Sequence, residues 1–334
     1  MPLLRGIARR EGAALFDLMQ GFVNSQMLSA LVELRVLHIL ADGGETAADM
    51  AQRLNVPVER MMILLQAGAA MKLLRRKRDR FYLAQRGAAF LGVNGLEDMV
   101  RHHAVLYGDL ADPVAFIKGE TTPALADFWP YVFGAQGATD PEVSARYSRL
   151  MADSQGIVAQ EALGVLSFKG VSRLLDVGGG TGAFLRAVHA RHPKLELALF
   201  DLPDVVALAD LPACAARHGG SFRDDPLPQG ADAISLVRVL YDHSDDTVRA
   251  LLTKTLAALP AGGKLMVVEP MSGGARPDRQ TDVYFSVYTL AMQTGRTRSA
   301  QEICALLQQA GFADQTQIRT SRPYITSVVT AVKP

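Results

Sequence analysis

The sequence has little that would mark a secreted, metal-binding or membrane-spanning protein. Its two cysteines, Cys214 and Cys304, lie far apart, so they form neither a disulfide framework nor a metal-ligand pattern. The net charge of +1 gives no general attraction to polyanions. The N-terminal segment MPLLRGIARREG lacks the apolar core of a signal peptide. No stretch reaches the roughly 18 uninterrupted apolar residues of a membrane span. We expect a cytoplasmic protein that needs no metal.

What is present is a large apolar content and one glycine-rich segment. Hydrophobic residues make up 49% of the 334 residues, enough for more than one domain of ordinary size, about 100–200 residues. The segment 173–201 begins with a short apolar run that predicts a buried parallel strand. Four glycines, a helical stretch and a second apolar strand that ends at Asp201 follow. This order predicts one strand–helix–strand unit with a ligand at the helix N-terminus.

The glycines allow two interpretations of that ligand. Gly178, Gly180 and Ala183 fit a loose dinucleotide fingerprint, which is weak alone. Asp176, placed just ahead of Gly178, Gly180 and Gly182, favours a different ligand, because a carboxylate there would repel a pyrophosphate and attract a cation. S-adenosylmethionine (SAM) carries an ammonium and a sulfonium, and its ribose suits the carboxylate of Asp201. We therefore favour SAM over a nicotinamide cofactor and over a merely structural glycine turn.

Several further stretches carry a resemblance to a known family. They are LLDVGGGTG, LFDLP, DPLP, LVRVLYDHSDD, GGKLMVVEP and RTRSAQEICALLQQAGF. With these stretches the chain resembles the SAM-dependent O-methyltransferases that act on plant phenolics and on bacterial small molecules. Within that class, LVRVLYDHSDD and YFSVYTLAMQTGRTRS most resemble the O-methyltransferases of carotenoid biosynthesis. The resemblance implies a homodimer and SAM as the methyl donor.

The C-terminal half predicts an α/β fold, a doubly wound Rossmann-like sheet of the SAM methyltransferase type. Strands and helices alternate from residue 170 onward, which is typical of such a sheet. The predicted strands are 173–177, 195–200, 221–223, 232–238, 263–269, one near 315–319, and a last apolar strand at 324–332. The resemblance implies that this last strand lies antiparallel within the sheet. Ligands bind beyond the C-terminal ends of parallel strands. That rule places the cofactor site at Asp176, Gly178, Gly180, Gly182, Asp201, Leu202, Ser221, Phe222 and Arg238.

The N-terminal part predicts a mainly helical domain with a winged helix. A long apolar helical face covers residues 11–41, which is more than one domain needs to cover itself. The resemblance implies an intertwined homodimer here, and we favour it over an ordinary core helix. In residues 45–91 we expect a helix capped by Thr46, a second helix from Arg60 to Met71, and a hairpin that turns at Asp79-Arg80. Alone, this pattern and its basic hairpin would suggest DNA binding. The second helix is almost wholly apolar and offers nothing to read base edges, so we expect no nucleic acid.

The resemblance divides the chain into three segments. Residues 1–95 are the expected dimerisation domain, residues 96–168 a helical linker that shapes the acceptor pocket, and residues 169–334 the catalytic domain. Apolar or aromatic residues at helical spacing, and a tryptophan cluster, supply candidate pocket walls, although each could equally be ordinary core. The candidate pocket residues are His102, Trp129, Phe133, Met151, Phe285, Tyr288 and Met292.

The chain departs from the family pattern at the expected catalytic base. Phenol-methylating members have His-Asp after the fourth strand, whereas this sequence places Tyr241 before Asp242. Thr297 replaces an acidic residue before Arg298, and Ser221 stands where an Asp holds the adenosine; Asp224 or Asp225 could replace that contact. Three mechanisms stay open. His243 is the base, Tyr241 orients the acceptor oxygen, or transfer relies on holding the oxygen in line in a dry site.

The missing histidine is compatible with an aliphatic hydroxyl. A tertiary alcohol is far less acidic than a phenol, so its proton would leave late, as the new C–O bond forms. We expect O-methylation of a bulky apolar acceptor, a tertiary 1-hydroxy carotenoid, with contact to a membrane surface. The alternatives are a phenolic polyketide, a bacteriochlorophyll precursor, a winged-helix regulator that senses SAM or a pigment, and a nicotinamide oxidoreductase.

Overall fold

The computed structural model of the protein describes residues 2–128 and 154–334. Two compact units divide the chain, Met1–Ala104 and Val105–Pro334. The three predicted segments stay a prediction, because the two units divide the chain by packing and not by role. Trp129, Phe133 and Met151, three of the candidate pocket residues, lie outside the described residues.

The first unit combines helices with a small antiparallel sheet, as the winged-helix pattern predicts. The sheet order is β1-β3-β2. The Thr46 hydroxyl accepts a hydrogen bond from the backbone N–H of Asp49 (3.1 Å), so the predicted helix cap is confirmed. The elements are α1 (Pro2–Met19), α2 (Gly21–Glu33), α3 (Val36–Ala41), β1 (Glu45–Thr46), α4 (Ala47–Leu54), α5 (Val58–Ala70), β2 (Leu74–Lys77), β3 (Arg80–Leu83), α6 (Gln85–Leu91) and the first part of α7 (Leu96–Asp109), whose last residues belong to the second unit.

The hairpin turns one residue earlier than predicted. Arg80 lies in β3 and pairs with Lys77, so the turn consists of Arg78 and Asp79. Arg78 adopts a left-handed conformation (φ 58°). Its carbonyl accepts a hydrogen bond from the guanidinium of Arg76 (3.0 Å), which holds the turn in place.

The predicted apolar face of residues 11–41 divides into an exposed and a buried half. The helical conformation is interrupted between α2 and α3, where Arg35 takes a left-handed conformation (φ 54°). Beyond α1, the residues Leu31, Leu37 and Leu40 lie in the core of the first unit. The earlier half stays exposed, and its large apolar side chains are Leu15, Phe16, Leu18, Met19, Phe22 and Val23. An exposed apolar face of this size is typical of a protein–protein interface.

The second unit is built on a seven-stranded sheet of the predicted doubly wound type. Its order is β6-β5-β4-β7-β8-β10-β9, with β10 antiparallel to both β8 and β9. The strands are β4 (Arg173–Val177), β5 (Glu196–Asp201), β6 (Ala216–Gly219), β7 (Ala233–Val237), β8 (Lys264–Glu269), β9 (Ala313–Ile318) and β10 (Ser327–Val332). The C-terminal ends of β4, β5, β7 and β8 therefore form one rim.

Helices cover both faces of this sheet and complete two apolar clusters. The last helix begins with a capping box, because the side chains of Ser299 and Glu302 each accept the other's backbone N–H. Glu302 is therefore structural. The helices are α8 (Pro113–Lys118), α9 (154–163), α10 (Ala183–Arg191), α11 (Pro203–Ala207), α12 (Asp245–Ala258), α13 (Ser286–Met292) and α14 (Ala300–Ala310), with a π-helix at Thr281–Phe285 and 3₁₀ turns at Ala124–Phe128 and Leu240–Asp242.

The strand predicted at 221–223 is wrong. The third parallel strand is β6, which ends at Gly219, and residues 221–225 form a turn. The ammonium of Lys254 accounts for the turn, because it donates to the carbonyls of Phe222, Arg223 and Asp225 at 2.8–2.9 Å. Three carbonyls drawn to one cation cannot pair with a neighbouring strand.

The described residues contain neither a membrane-spanning helix nor a cluster of metal ligands. No described helix is long and apolar enough to cross a bilayer. Among the same residues, no group of three or more histidine, cysteine, aspartate or glutamate side chains could hold a metal ion.

Candidate active site

The glycine loop lies between β4 and α10, where the backbone must run close to its neighbours. Gly178, Gly180 and Gly182 all have positive φ (69°, 58° and 84°). A Cβ at Gly178 would lie 2.8 Å from a methyl group of Val239, and one at Gly179 would overlap the carboxylate of Asp176. Only glycine satisfies both conditions. The loop therefore exposes backbone at the rim of the sheet for a ligand.

Asp176 places a buried carboxyl group beneath this loop. It is 0% exposed, and its Oδ1 accepts a hydrogen bond from the Ser235 hydroxyl at 2.5 Å. Its Oδ2 is buried and has no hydrogen-bond partner. Burial, with a smaller contribution from the charge of Asp201, raises the pKa of Asp176 to about 7. A buried oxygen without a partner, on an acid that ionises near neutrality, suits a cationic group of a ligand.

Asp201 ties the loop to the end of β5. One of its carboxylate oxygens accepts the N–H of Gly180 (2.8 Å), and the other accepts the N–H of Leu202 (2.7 Å). Burial raises the pKa of this carboxyl, and the two backbone hydrogen bonds oppose that rise. A carboxylate has about four acceptor positions, so two remain for a diol. Leu202 contributes through its backbone, as the N-cap of α11.

The 221–225 turn forms the next part of the rim. Ser221 donates its N–H to Asp225 (2.8 Å), and its hydroxyl accepts the N–H of Arg223 (3.2 Å). The carboxylate of Asp225 therefore stabilises the turn itself. Phe222 packs edge-on against His243, with ring centroids 5.1 Å apart. This contact brings the third and fourth loops of the rim together.

The turn after β7 is fixed from two sides by groups that the sequence analysis did not identify. Glu269, at the end of β8, accepts the N–H groups of Val239 (2.9 Å), Leu240 (2.8 Å) and Tyr241 (3.3 Å). Burial raises the pKa of Glu269 to about 7 even against these three hydrogen bonds. Arg298, 2% exposed, donates to the carbonyls of Leu240 (2.7 Å) and His243 (2.8 Å). Glu269 follows an apolar run in the sequence, and a glutamate at the end of a buried strand was the signal that could have revealed its role.

Arg238 and Tyr241 lie together inside this turn. Arg238 adopts a left-handed conformation (φ 58°), and its guanidinium donates to the hydroxyls of Ser154 (2.8 Å) and Tyr241 (3.1 Å). Tyr241 is 3% exposed, and burial raises the pKa of its phenol. At neutral pH this hydroxyl is protonated and donates to the carboxyl of Asp242, so it cannot take a proton from an acceptor.

His243 is buried beside a cation. The guanidinium of Arg223 lies 3.2 Å from Nδ1 of His243, and because a guanidinium only donates, Nδ1 is the acceptor. The neutral ring then carries its proton on Nε2. Burial, followed by the charges of Arg223 and Arg298, lowers the pKa of His243 to about 4. Neither ring nitrogen offers a free lone pair at neutral pH.

The predicted pocket residues fall in different places. Tyr288 and Met292 are buried on α13, in a cluster that includes Phe116 and Leu125. Phe285 is partly buried, and its ring meets that of Tyr284 edge-on at 5.0 Å. Tyr284 also stacks on Tyr288 at 5.9 Å. His102 is buried on α7, within the first unit. Aromatic rings thus follow the helix beside the turn that carries Tyr241.

Two family models match the chain. One, described as an O-methyltransferase domain, matches residues 107–313, and the other, an O-methyltransferase dimerisation domain, matches residues 16–92. The demethylspheroidene O-methyltransferase of Cereibacter sphaeroides is 61% identical, and the match covers 100% of this chain and 90% of that protein. The enzyme of the same name from Rhodobacter capsulatus is 55% identical, with 99% and 84% covered.

Solved structures share the fold. Human N-acetylserotonin methyltransferase, solved in complex with SAM, superposes with a TM-score of 0.79 at 24% identity, covering 97% of both chains. The pyocyanin biosynthetic protein PhzM gives a TM-score of 0.82 at 20% identity, covering 97% of this chain and 99% of its own. At these identities the structures establish the architecture of the sheet and its helices.

The matches and the geometry agree on the kind of protein. Most of the exposed apolar face of α1 and α2 falls in the matched dimerisation domain, which supports the predicted homodimer. The partnerless oxygen of Asp176, the glycines that admit no Cβ and the open acceptor positions of Asp201 fit SAM, whose ammonium and ribose need these groups. The chain belongs to the family of SAM-dependent O-methyltransferases.

Proposed function

We propose that the enzyme methylates the tertiary hydroxyl of a 1-hydroxy carotenoid. One observation carries the proposal: no histidine on the turn after β7 is a usable base. Tyr241 occupies the position of the family's histidine and is a buried phenol whose pKa is raised. His243 has a pKa of about 4, and its Nδ1 is already bound to Arg223. The names of the two relatives at 61% and 55% identity support a carotenoid acceptor.

The acidity of the acceptor explains why the histidine is dispensable. A phenol has a pKa near 10, which a histidine can reach, so phenol-methylating members benefit from that base. A tertiary alcohol is far less acidic, so no side chain removes its proton before the reaction. Its oxygen must instead be held in line with the methyl group in a site without water.

The cofactor end of the site is assigned to the glycine loop and two carboxyl groups. We assign the ammonium of SAM to Oδ2 of Asp176 and the ribose hydroxyls to Asp201. The backbone at Gly178, Gly180 and Gly182 lies against the ligand. When bound, SAM supplies a methyl group made electrophilic by a positively charged sulfur. We assign the backbone of Ser221 and the ring of Phe222 to the adenine side of the site. We assign Arg238 to the boundary between the cofactor end and the acceptor end.

The acceptor end is assigned to the aromatic face beside the turn. Phe285, Tyr288 and Met292 lie at helical spacing, with Tyr284 stacked on Tyr288. Their rings suit an apolar polyene and exclude water from the oxygen. Burial raises the pKa of Tyr284 to about 12, so its hydroxyl is a hydrogen-bond donor at neutral pH.

Replacing His243 by alanine is expected to lower kcat less than about tenfold, since the imidazole has no free lone pair for the acceptor. Tyr241→Phe, which removes the hydroxyl that Arg238 contacts, is expected to have a larger effect, about tenfold, through misplacement of the acceptor. Steady-state kinetics of both variants with the carotenoid test this expectation. A loss of 100-fold or more in His243→Ala would make His243 a working base.

The proposed acceptor is tested by turnover of a panel in detergent. Labelled SAM is supplied with a 1-hydroxy carotenoid, a catechol, a phenolic polyketide or a bacteriochlorophyllide. We expect turnover of the carotenoid and at least 100-fold lower kcat/KM for the others. Preferred turnover of a phenol or of the bacteriochlorophyllide would replace the carotenoid proposal. Tight SAM binding without transfer to any acceptor would favour a ligand-sensing protein.

We further propose that the protein works in the cytoplasm and meets this acceptor at a bilayer surface. Val114 and Ile117, on α8, are 63% and 67% exposed, and Lys118 follows them. Exposed apolar side chains next to a cation suit the lipid–water interface. Flotation of the purified dimer with lipid vesicles should recover the wild type and less of a Val114→Ser/Ile117→Ser variant. Equal recovery of both proteins would contradict the assignment to α8.

A further inference from the structure

Asp242 carries a buried carboxylate oxygen that no hydrogen bond satisfies. It is the third residue of the 3₁₀ turn at Leu240–Asp242 and is 9% exposed. Its Oδ1 has no hydrogen-bond partner, while the carboxyl also interacts with the hydroxyl of Tyr241. Among the described side chains of residues 238–243, this is the buried polar atom without a partner. A buried acceptor atom left open is costly unless a ligand completes it.

The surroundings of this carboxyl come from four elements. Tyr241 shares its turn, Arg238 precedes it after β7, Glu269 lies at the end of β8, and Tyr288 faces it from α13. Burial is the main cause that raises the pKa of Asp242 well above its usual range, and the charge of Glu269 adds to it. The Arg238 cation and the Tyr241 hydrogen bond act in the opposite direction. Such a carboxyl is a stronger base than an ordinary aspartate when it is ionised.

We propose that Oδ1 of Asp242 binds the acceptor hydroxyl and takes its proton during methyl transfer. This inference rests on the proposed function. It gives the site a base even though His243 and Tyr241 cannot serve as one. The carboxyl lies one residue from Tyr241, the position of the family's histidine, so it belongs to the same turn that Glu269 and Arg298 hold rigid.

The step balances without any further reactant. The acceptor oxygen forms a bond to the methyl carbon as the bond between that carbon and sulfur breaks. The electron pair of the broken bond stays on sulfur, which becomes a neutral thioether. The hydroxyl proton passes to Oδ1 of Asp242 as positive charge develops on the oxygen. When the methyl ether leaves, the carboxyl returns the proton to solvent.

The other polar groups in and around the turn already use their acceptor atoms in hydrogen bonds. Nδ1 of His243 accepts from Arg223, and the carboxylate of Glu269 accepts three backbone N–H groups. Tyr241 receives a hydrogen bond from Arg238 and has a raised pKa. Asp242 alone among these combines basicity with an open acceptor atom. Its role is therefore catalytic, because its oxygen would touch the reacting hydroxyl.

Asp242→Asn is the direct test, because it keeps the shape and removes the proton acceptor. We expect kcat to fall at least about 100-fold, the usual size of a general-base contribution, with SAM affinity within threefold of wild type. The matched control is Asp246→Asn, whose side chain is 97% exposed on the following helix, and it should retain full activity. Activity above a third of wild type in Asp242→Asn would overturn the proposal.

Two readouts separate catalysis from a structural role. The wild-type kcat should rise with pH as Asp242 ionises. In Asp242→Asn this rise in the pH profile should be absent, while any rise due to the ionisation of Glu269 should remain. In Asp242→Ala, added formate should restore part of the activity, because a small carboxylate can occupy the vacated space. An unchanged pH profile, no rescue by formate, or loss of SAM binding together with kcat would each assign Asp242 a structural role and overturn the proposal.

The same experiments distinguish failure of this inference from failure of the proposed acceptor. Each variant is assayed with whichever acceptor the wild type turns over. A wrong acceptor shows itself in the wild-type panel, before any variant is made. A wrong base shows itself only as an Asp242→Asn enzyme that stays active on the acceptor so identified.

Discussion

Gly295→Ala is expected to lower kcat at least about 100-fold without weakening SAM binding. Gly295 packs its Cα against the backbone of the turn after β7. A Cβ there would overlap the carbonyl oxygen of Tyr241 and lie 2.5 Å from the backbone nitrogen of His243. Glu269 holds the same turn through the backbone N–H of Tyr241, and Arg298 holds it through the carbonyl of His243, so these main-chain atoms cannot move aside alone. The turn as a whole must shift, and a displacement of about 1 Å in a catalytic site costs about 100-fold.

The measurement pairs steady-state kinetics with calorimetric titration of SAM. The control is Gly108→Ala, because a Cβ at Gly108 on α7 meets nothing within 4 Å, and alanine favours a helix over glycine. We expect the control to keep wild-type kcat. A Gly295→Ala enzyme with near-wild-type kcat would show that the turn does not position the reacting groups. A variant that also loses SAM affinity would show that its effect spreads beyond the turn.

Asp176→Asn is expected to weaken SAM binding at least about 100-fold and to raise the melting temperature at pH 8. Both effects have one cause, because in the free enzyme the buried carboxylate of Asp176 has one oxygen without a hydrogen-bond partner and no cation beside it among the described residues. Its pKa of about 7 lies above the usual value, so ionisation costs stability in the free enzyme as pH rises from about 4 to 7. The amide removes that cost together with the attraction for the ammonium.

The pH dependence of SAM affinity follows from the same shift. Below pH 7 the carboxyl of Asp176 is protonated in the free enzyme, so SAM binding is expected to tighten as pH rises from 6 to 8 and then level off. Ser235→Ala is the informative control, because it removes the hydrogen bond at Asp176 and keeps the charge. At pH 8.5 this control should bind SAM within about threefold of wild type and melt earlier. Equal SAM affinity in Asp176→Asn and wild type would remove Asp176 from the cofactor site.

The parts predicted from the sequence are those fixed by local patterns. Asp176, the glycines and Asp201 belong to one strand–helix–strand unit, and the buried strands have the continuous apolar runs that a parallel sheet requires. The cap at Thr46 and the capping box at Ser299 are likewise decided within a few residues. Such features depend on neighbours in sequence, so the sequence alone predicts them.

The parts that were wrong or missed depend on residues distant in sequence. Residues 221–225 form a turn because Lys254, about 30 positions later, gathers their carbonyls. The hydrogen bonds that hold the backbone of the turn after β7 come from the side chains of Glu269 and Arg298. In the sequence, each of these looks like an ordinary strand or loop residue. The open oxygen of Asp242 shows itself only once its neighbours are placed. A one-dimensional pattern locates the rim of the sheet but not the hydrogen bonds across it.

A competition assay tests directly whether the enzyme methylates an aliphatic hydroxyl without a histidine base. Wild-type enzyme receives limiting methyl-labelled SAM with equal amounts of a tertiary 1-hydroxy carotenoid and a catechol, both in detergent. We expect nearly all the label to appear as the methyl ether of the carotenoid. Label mainly in the methylated catechol would contradict it, because a phenol would then be the acceptor that this turn is built to activate.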